Sequence, residues 1–273
     1  MLAAAEYIVR SAPVADGSTN RLLDALPAAA RDRWFAPLTP SFMETKTVLF
    51  DAGEVVESVY FPLSAVIALV TPLIGGAMVE VATIGNEGII GVPLVLGGSL
   101  AVRAISQVAG WVLPMQATAF LESIDSDAAV RDVVSDYLQA LFSQISQAAA
   151  CNRLHSNEER LSRWLLMSSD RAGTDTFTIT HEFLGQLLGS RRATVTLSAG
   201  ILQASGLITY QRGRMTIVDR RGLETTSCEC YGVIRAELDD VVDRAHLRGR
   251  RGTSTTPHPD RSRSSATPLE GEW

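Results

Sequence analysis

A chain of 273 residues, 46% hydrophobic and 20% charged, can bury two ordinary cores and lies outside the hydrophobe-poor composition of disordered proteins. Its formal net charge of -6 excludes a protein that coats nucleic acid through a uniformly basic surface. Three cysteines, an odd number, and no basic start followed by a cleavable apolar core point to the reducing cytoplasm; no apolar run reaches the ~20 residues of a membrane span.

Residues 1–20 mix Ala, Ser, Pro and Gly without a period and read as a disordered leader. Asn20 to Trp34 reads as a short helix capped by Asn20, with Leu22, Leu23, Leu26 and Trp34 on one face. Between Lys46 and Met115, short aliphatic and β-branched segments are separated by Asp51-Ala52-Gly53, Gly75-Gly76, Gly85-Asn86, Gly97-Gly98 and Gly110. Evenly punctuated short strands predict a barrel or jelly roll over 21–125, with alternation visible from Met78 to Ile84. The apolar runs Phe61–Ile74 and Gly88–Leu100 read as buried strands. From Asp127 the pattern is helical, and Val134, Leu138, Leu141, Ile145, Ala148 and Asn152 follow at steps of four and three. Such a seam, opposite Asp132, Ser135, Asp136, Gln139 and Ser143, predicts a dimerisation helix over 126–156 whose stripe a second copy covers. The alternative is a core helix packed on its own barrel.

Asn157 to Ser168 is the next helix, opening a domain over 157–243. Thr180 then caps a helix with Glu182 in its first turn and Phe183, Leu184, Leu187 and Leu188 inside, ended by Gly189 in a left-handed turn. A new helix from Arg191 to Gln203 turns Val195, Ala199 and Leu202 inward and leaves Arg191, Arg192, Thr194, Thr196 and Ser198 at its start or outside. Two short helices joined by a glycine turn, the second opening Arg-Arg-x-Thr, is the layout that puts a helix N-terminus into the major groove. Arginine offers a planar fork matching guanine O6 and N7 or a phosphate, and threonine hydroxyls and free amides take further phosphate oxygens. Leu207–Tyr210 and Met215–Val218 make a hairpin tipped by Arg212 and Arg214. Thr180, Arg191, Arg192, Thr194, Thr196, Arg212 and Arg214 are the candidate DNA contacts, in a stretch, 173–215, with four arginines against two acids. The bland reading is a helical hairpin with solvated arginines. Tyr231 to Asp243 forms one more polar helix, and 244–273 reads as a disordered basic tail.

Ile179 to Glu224, with its Gln203-Ala-Ser-Gly-Leu-Ile-Thr-Tyr-Gln-Arg-Gly213 run and closing Asp219-Arg-Arg-Gly-Leu-Glu224, resembles the DNA-binding domain of Crp/Fnr regulators. The resemblance reaches back over about 21–240. It implies an α+β chain: an N-terminal cyclic-nucleotide-binding-like jelly roll, a long dimerisation helix, and a C-terminal winged helix-turn-helix, working as a cytoplasmic homodimer on two-fold-related double-stranded DNA. By position, Arg192 matches the family's guanine-reading arginine, and Arg191 and Thr194 match phosphate contacts. Ala193 and Leu197 stand where many members carry glutamate and a second arginine, which implies a different operator, at ~1–3 kcal/mol of discrimination per base pair.

In members that bind cyclic AMP, Gly-Glu faces the ribose and Arg-Ser the cyclic phosphate. Here Glu87 follows Asn86, Leu100 and Ala101 stand near the Arg-Ser position, and Arg103 is displaced by about three residues. Glu87, Gly88 and Arg103 are the candidate effector-pocket residues; a structural role is favoured for Arg103, and a buried phosphate without its arginine disfavours cyclic AMP. Cys151, Cys228 and Cys230 do not have iron–sulfur spacing, and His155 and His181 read as packing or capping residues rather than haem ligands. No metal, cofactor or catalytic constellation is expected. RNA polymerase and a small-molecule effector are further candidate partners. The rival function is a cyclic-nucleotide-binding regulatory module acting through protein partners.

Overall fold

A computed structural model of the chain describes residues 19–252. Asn20 caps the first element, but Pro27 splits the expected N-terminal helix into α1 (Arg21–Asp24) and α2 (Ala28–Trp34). The Asn20 side chain accepts from the Leu23 amide and donates to the carbonyls of Pro62 and Gly88, which ties this segment to the domain behind it.

Seven strands follow: β1 (Ser41–Met43), β2 (Val48–Phe50), β3 (Ser58–Pro62), β4 (Val66–Pro72), β5 (Met78–Ile84), β6 (Arg103–Val108) and β7 (Gly110–Gln116). They form two antiparallel sheets, ordered β1-β7-β3 and β2-β6-β4-β5. They bury Phe61, Val66, Ile67, Ala68, Ala104 and Val112, with β4 covered on both faces. The expected strand over Gly88–Leu100 is not one. Only Ile90 bridges to Tyr60, and Pro93 starts a one-turn helix, α3 (Val92–Val95), because proline suits the first turn of a helix and cannot donate to a ladder.

After α4 (Ala117–Ser126), α5 (Ala128–Leu154) starts on an Asp127 cap that accepts from the Ala129 amide. The helix has the stripe that its period predicts, but the chain covers that stripe itself. Val134, Leu141 and Ala148 are buried and Leu138, Ile145 and Asn152 half-buried within one copy. Toward the jelly roll, Tyr137 donates to the Ile89 carbonyl at 3.2 Å and Gln144 to that of Thr83 at 2.8 Å. Along another side lies α10 (Cys230–Gly252), running antiparallel, with Gln147 against Cys230 at one end and Arg248 against Asp136, 2.7 Å, at the other. The face of α5 left open carries Ser135, Gln139, Phe142, Ser146, Ala149 and Arg153, with Phe142 72% exposed.

The C-terminal part contains α6 (Asn157–Ala172), β8 (Thr176–Thr178), α7 (His181–Leu187), α8 (Arg192–Ala204), β9 (Ile208–Gln211), β10 (Arg214–Ile217) and α9 (Arg220–Thr226). Ser156 and Glu159 close a reciprocal capping box on α6, and Gly173 ends it in a left-handed turn. The helix continues in α10 to Gly252, past the boundary expected at 243: the 244–248 stretch is amphipathic, burying Ala245 while Arg244 and Arg248 reach Asp136. The remainder of the expected basic tail, and the leader up to residue 18, lie outside the described residues.

One helix joins the two parts. Arg171 of α6 pairs with Glu87 at 2.7 Å, both side chains buried. Gly85 makes room for it, since a Cβ there would lie 2.3 Å from that of Arg171. Trp164 donates to Glu80 of β5 at 3.2 Å, and Thr83 donates to the same carboxylate. Burial pushes the Glu80 carboxyl above its ordinary pKa, against those two donors and the charges of Arg163 and Arg171.

Candidate nucleic-acid interface

The helix pair forms for local reasons. Thr180 accepts from the Phe183 amide at 3.2 Å, so α7 starts there, and Phe183, Leu184 and Leu187 are buried behind it. Gly189 reverses the chain at φ +60°, a conformation that penalises a Cβ, and the missing side chain also leaves space for Val79 of β5, 3.0 Å from where it would stand. Ser190 donates to Asn157 at 2.6 Å, Ser198 to Glu158 at 2.7 Å, and Arg160 to the Leu188 carbonyl, so α6 fixes the turn and the second helix from below.

Val195, Ser198, Ala199 and Leu202 form the buried side of α8. Arg191 is its N-cap and makes no side-chain cap bond. The first amides of this helix are therefore not satisfied by a capping side chain, and the helix dipole adds partial positive charge at that end. Around it, Arg191, Arg192 and Ala193 are exposed and Thr194 is half-buried. One turn further along the same open face stand Thr196, Leu197, Gly200 and Ile201; Leu197 is 65% and Ile201 45% exposed, so this face is in part apolar.

Two candidate contacts are already engaged. The Thr180 hydroxyl serves as the α7 cap. That of Thr196 donates to the Arg192 carbonyl at 2.9 Å and meets His181 Nδ1 at 2.9 Å. His181 stacks on Tyr210 of β9, ring centroids 4.1 Å apart, and Tyr210 donates to the Ile179 carbonyl. This stack, which sequence reading passes over as capping or packing, locks the wing to the helix pair. Burial, with Arg192 alongside, holds the His181 pKa below its ordinary value, so its imidazole is neutral at pH 7.

The wing is a three-stranded sheet, β8-β10-β9. Gln211 pairs with Arg214, leaving Arg212-Gly213 as a two-residue turn with φ of +51° and +78°, the left-handed pair of a type I′ hairpin. Arg212 and Arg214 are exposed at its tip, on the same side of the molecule as an open groove lined by Thr178, Thr209, Gln211 and Thr216.

The candidate effector residues do not converge. Glu87 is held by Arg171, and Gly88 packs where a Cβ would strike the Tyr137 hydroxyl at 2.5 Å. Arg103 forks onto Asp51 through Nε at 3.1 Å and an amino group at 2.7 Å, holding the Asp51 carboxyl below its ordinary pKa. Between the β2-β6-β4-β5 sheet, the 91–102 segment and α5 lies a cavity of about 50 Å³ lined by Phe50, Leu69, Val92, Leu100, Leu141 and Ile145, with no charged group. Elsewhere the fold gathers four residues that look unrelated in sequence, Cys151, His155, Cys228 and Cys230, with their ligand atoms within 4.8 Å of one another.

Residues 159–226 match the Crp-like helix-turn-helix domain family. No curated protein sequence matches the chain. Among solved structures, a Crp/Fnr-family transcriptional regulator from Eubacterium rectale is similar at 19% identity and a TM-score of 0.58, over 75% of this chain and 96% of that one. FixK2 from Bradyrhizobium japonicum is similar at 15% identity and 0.59, over 70% and 98%. The c-di-GMP responsive global regulator CLP from Xanthomonas campestris is similar at 15% and 0.54, over 70% and 98%. At these identities the likeness is one of fold. The chain thus has the Crp/Fnr fold: an N-terminal β-rich domain, a long helix and a C-terminal helix-turn-helix. That last part, residues 159–226, is a Crp-like helix-turn-helix domain, as the resemblance read from Ile179–Glu224 implies. No helix among the described residues is long and apolar enough to cross a membrane.

Proposed function

We propose that the chain is a cytoplasmic, sequence-specific DNA-binding transcription regulator, not an enzyme, which reads a palindromic double-stranded site as a homodimer. The observation that carries this reading is the open N-terminus of α8, where the Arg191 cap position offers no side-chain acceptor and Arg191, Arg192 and Ala193 face outward. Arg192 forks onto a guanine edge, Arg191 and Thr194 hold phosphate, and Arg212 and Arg214 hold the flanking backbone from the wing. Ala193 and Leu197 meet an apolar base edge, for which the thymine methyl is the chemical match. Thr196, held by the Arg192 carbonyl and His181, frames the reader, while the exposed Thr180, whose hydroxyl only accepts from Phe183, keeps its proton for a phosphate oxygen. The open Ser135–Arg153 face of α5, centred on exposed Phe142, together with the half-buried Leu138, Ile145 and Asn152 at its edge, is the surface offered to a second copy.

The jelly roll supports a reading without cyclic AMP. Its apolar cavity of about 50 Å³ has neither the size nor an anion partner for a nucleotide, and Glu87 and Arg103 are each paired elsewhere. RNA polymerase is a further candidate partner of a regulator bound at such a site.

Selection from a random duplex library is expected to enrich an inverted repeat with half-site centres about one helical turn, ~34 Å, apart. No enrichment contradicts DNA reading, and an unpaired half-site contradicts the dimer. On the enriched site, replacing Arg212 or Arg214 by Gln is expected to lower the salt slope of log Kd by about 1 for each phosphate that the wing no longer neutralises, with sequence preference unchanged; an unaltered slope in titrations across salt removes the wing from the interface.

A further inference from the structure

The geometry points to a metal site that sequence spacing hides: Cys151, His155, Cys228 and Cys230 form a closed tetrahedral set for one thiophilic divalent cation, zinc. Cys151 lies in the last turn of α5 and His155 is its C-cap, while Cys228 and Cys230 flank the junction of α9 and α10. The four ligand atoms converge on one point, all within 4.8 Å of each other. Cys151 Sγ and Cys228 Sγ stand 3.5 Å apart, and Cys230 Sγ and His155 Nδ1 also 3.5 Å. A tetrahedral ion with zinc–sulfur bonds of ~2.3 Å and zinc–nitrogen bonds of ~2.0 Å separates its ligands by about 3.5 to 3.8 Å. A multi-iron cluster spreads its thiolates further than these lie, so the site fits a single ion.

The donors choose the ion. Three thiolates and one imidazole suit zinc and discourage the oxygen-seeking magnesium and calcium. The outer shell is in place as well. His155 Nε2 faces Glu229 at 3.2 Å, the carboxylate–histidine arrangement that orients an imidazole ligand, and Gln147 donates to Cys230 Sγ at 3.1 Å. Arg163 and Arg160, both buried, lie close enough for their positive charge to act on the Cys151 thiolate, which offsets the surplus negative charge of three thiolates on a divalent ion. All three cysteines are free and buried, and no disulfide uses them. With four protein ligands the site is closed to substrate and structural. It ties the end of the long helix to α10 at the hinge where α6 begins, so the ion clamps the two helices beside the DNA-binding domain.

The full chain, purified anaerobically without chelator, is expected to carry one zinc per chain by elemental analysis. Exchange into cobalt(II) is expected to give the intense visible bands of tetrahedral coordination and a near-ultraviolet thiolate-to-cobalt band. The C228S/C230S variant is expected to lose both the zinc and the cobalt spectrum; because it can also lose its fold, the cobalt spectrum of the unmodified chain is the deciding readout. Zinc-free protein that gives no tetrahedral cobalt spectrum overturns the proposal. So does an iron–sulfur chromophore, or a Cys151–Cys228 disulfide in the anaerobic protein.

Discussion

Replacing Arg192 with Ala is expected to weaken binding to the selected palindrome by about 30-fold to 2 × 10⁴-fold at fixed salt. Each bidentate arginine–guanine pair carries ~1–3 kcal/mol of discrimination, and a two-fold site makes the pair twice, so binding weakens by ~2–6 kcal/mol in all. Arg192 is exposed at the start of α8, and among the described residues its guanidinium makes no hydrogen bond or ion pair, so the folded protein should barely notice. Binding to unrelated DNA should change far less, because Arg191, Arg212 and Arg214 keep their hold on the backbone. Fluorescence anisotropy with the palindrome and a scrambled duplex separates the two. Equal weakening on both would make Arg192 a phosphate ligand, and no weakening would take it out of the interface.

The second large effect is on stability. Glu87 and Arg171 are only about 5% exposed and pair at 2.7 Å. Removing one partner of such a buried pair leaves an uncompensated charge and costs ~3–5 kcal/mol, whereas replacing both with apolar groups of similar volume is often neutral. Arg171→Met and Glu87→Leu are therefore expected to lower the urea midpoint sharply one at a time, and the double variant to recover most of the loss. Trp164–Glu80 and Gln107–Ser168 cross the same boundary, so the pair sits within a polar seam rather than alone. Single variants within ~1 kcal/mol of the parent would mean that the two parts are not locked through Arg171.

What the sequence made legible is what short-range chemistry decides. Thr180, Gly189 and the Arg191–Arg192 start of α8 fall where capping, left-handed turning and exposure require, because each depends on neighbours within a few residues. Glycine punctuation likewise yields the two-sheet domain, although Pro93 turns one apolar run into α3. Long-range partners were not legible. The period of α5 says that Val134, Leu141 and Ala148 are buried but not by what, and their cover comes from the jelly roll and from α10, about a hundred residues downstream along the chain. Glu87 and Arg103, matched by position to an effector pocket, answer instead to Arg171 and Asp51, 84 and 52 residues away. The cysteines are the same case: Cys151 and Cys228 are 77 residues apart, so no local spacing could join them. The Tyr210–His181 stack was hidden for the reverse reason, since a lone histidine beside a helix cap has an ordinary local explanation.

Parallel selections from one random duplex library, with the unmodified chain and with Arg192→Ala, show whether α8 reads bases through Arg192. The unmodified chain is expected to return an inverted repeat, and the variant either no motif or the same repeat degenerate at one base pair in each half-site. The same motif from both proteins, with every position retained, would contradict reading by α8 through Arg192.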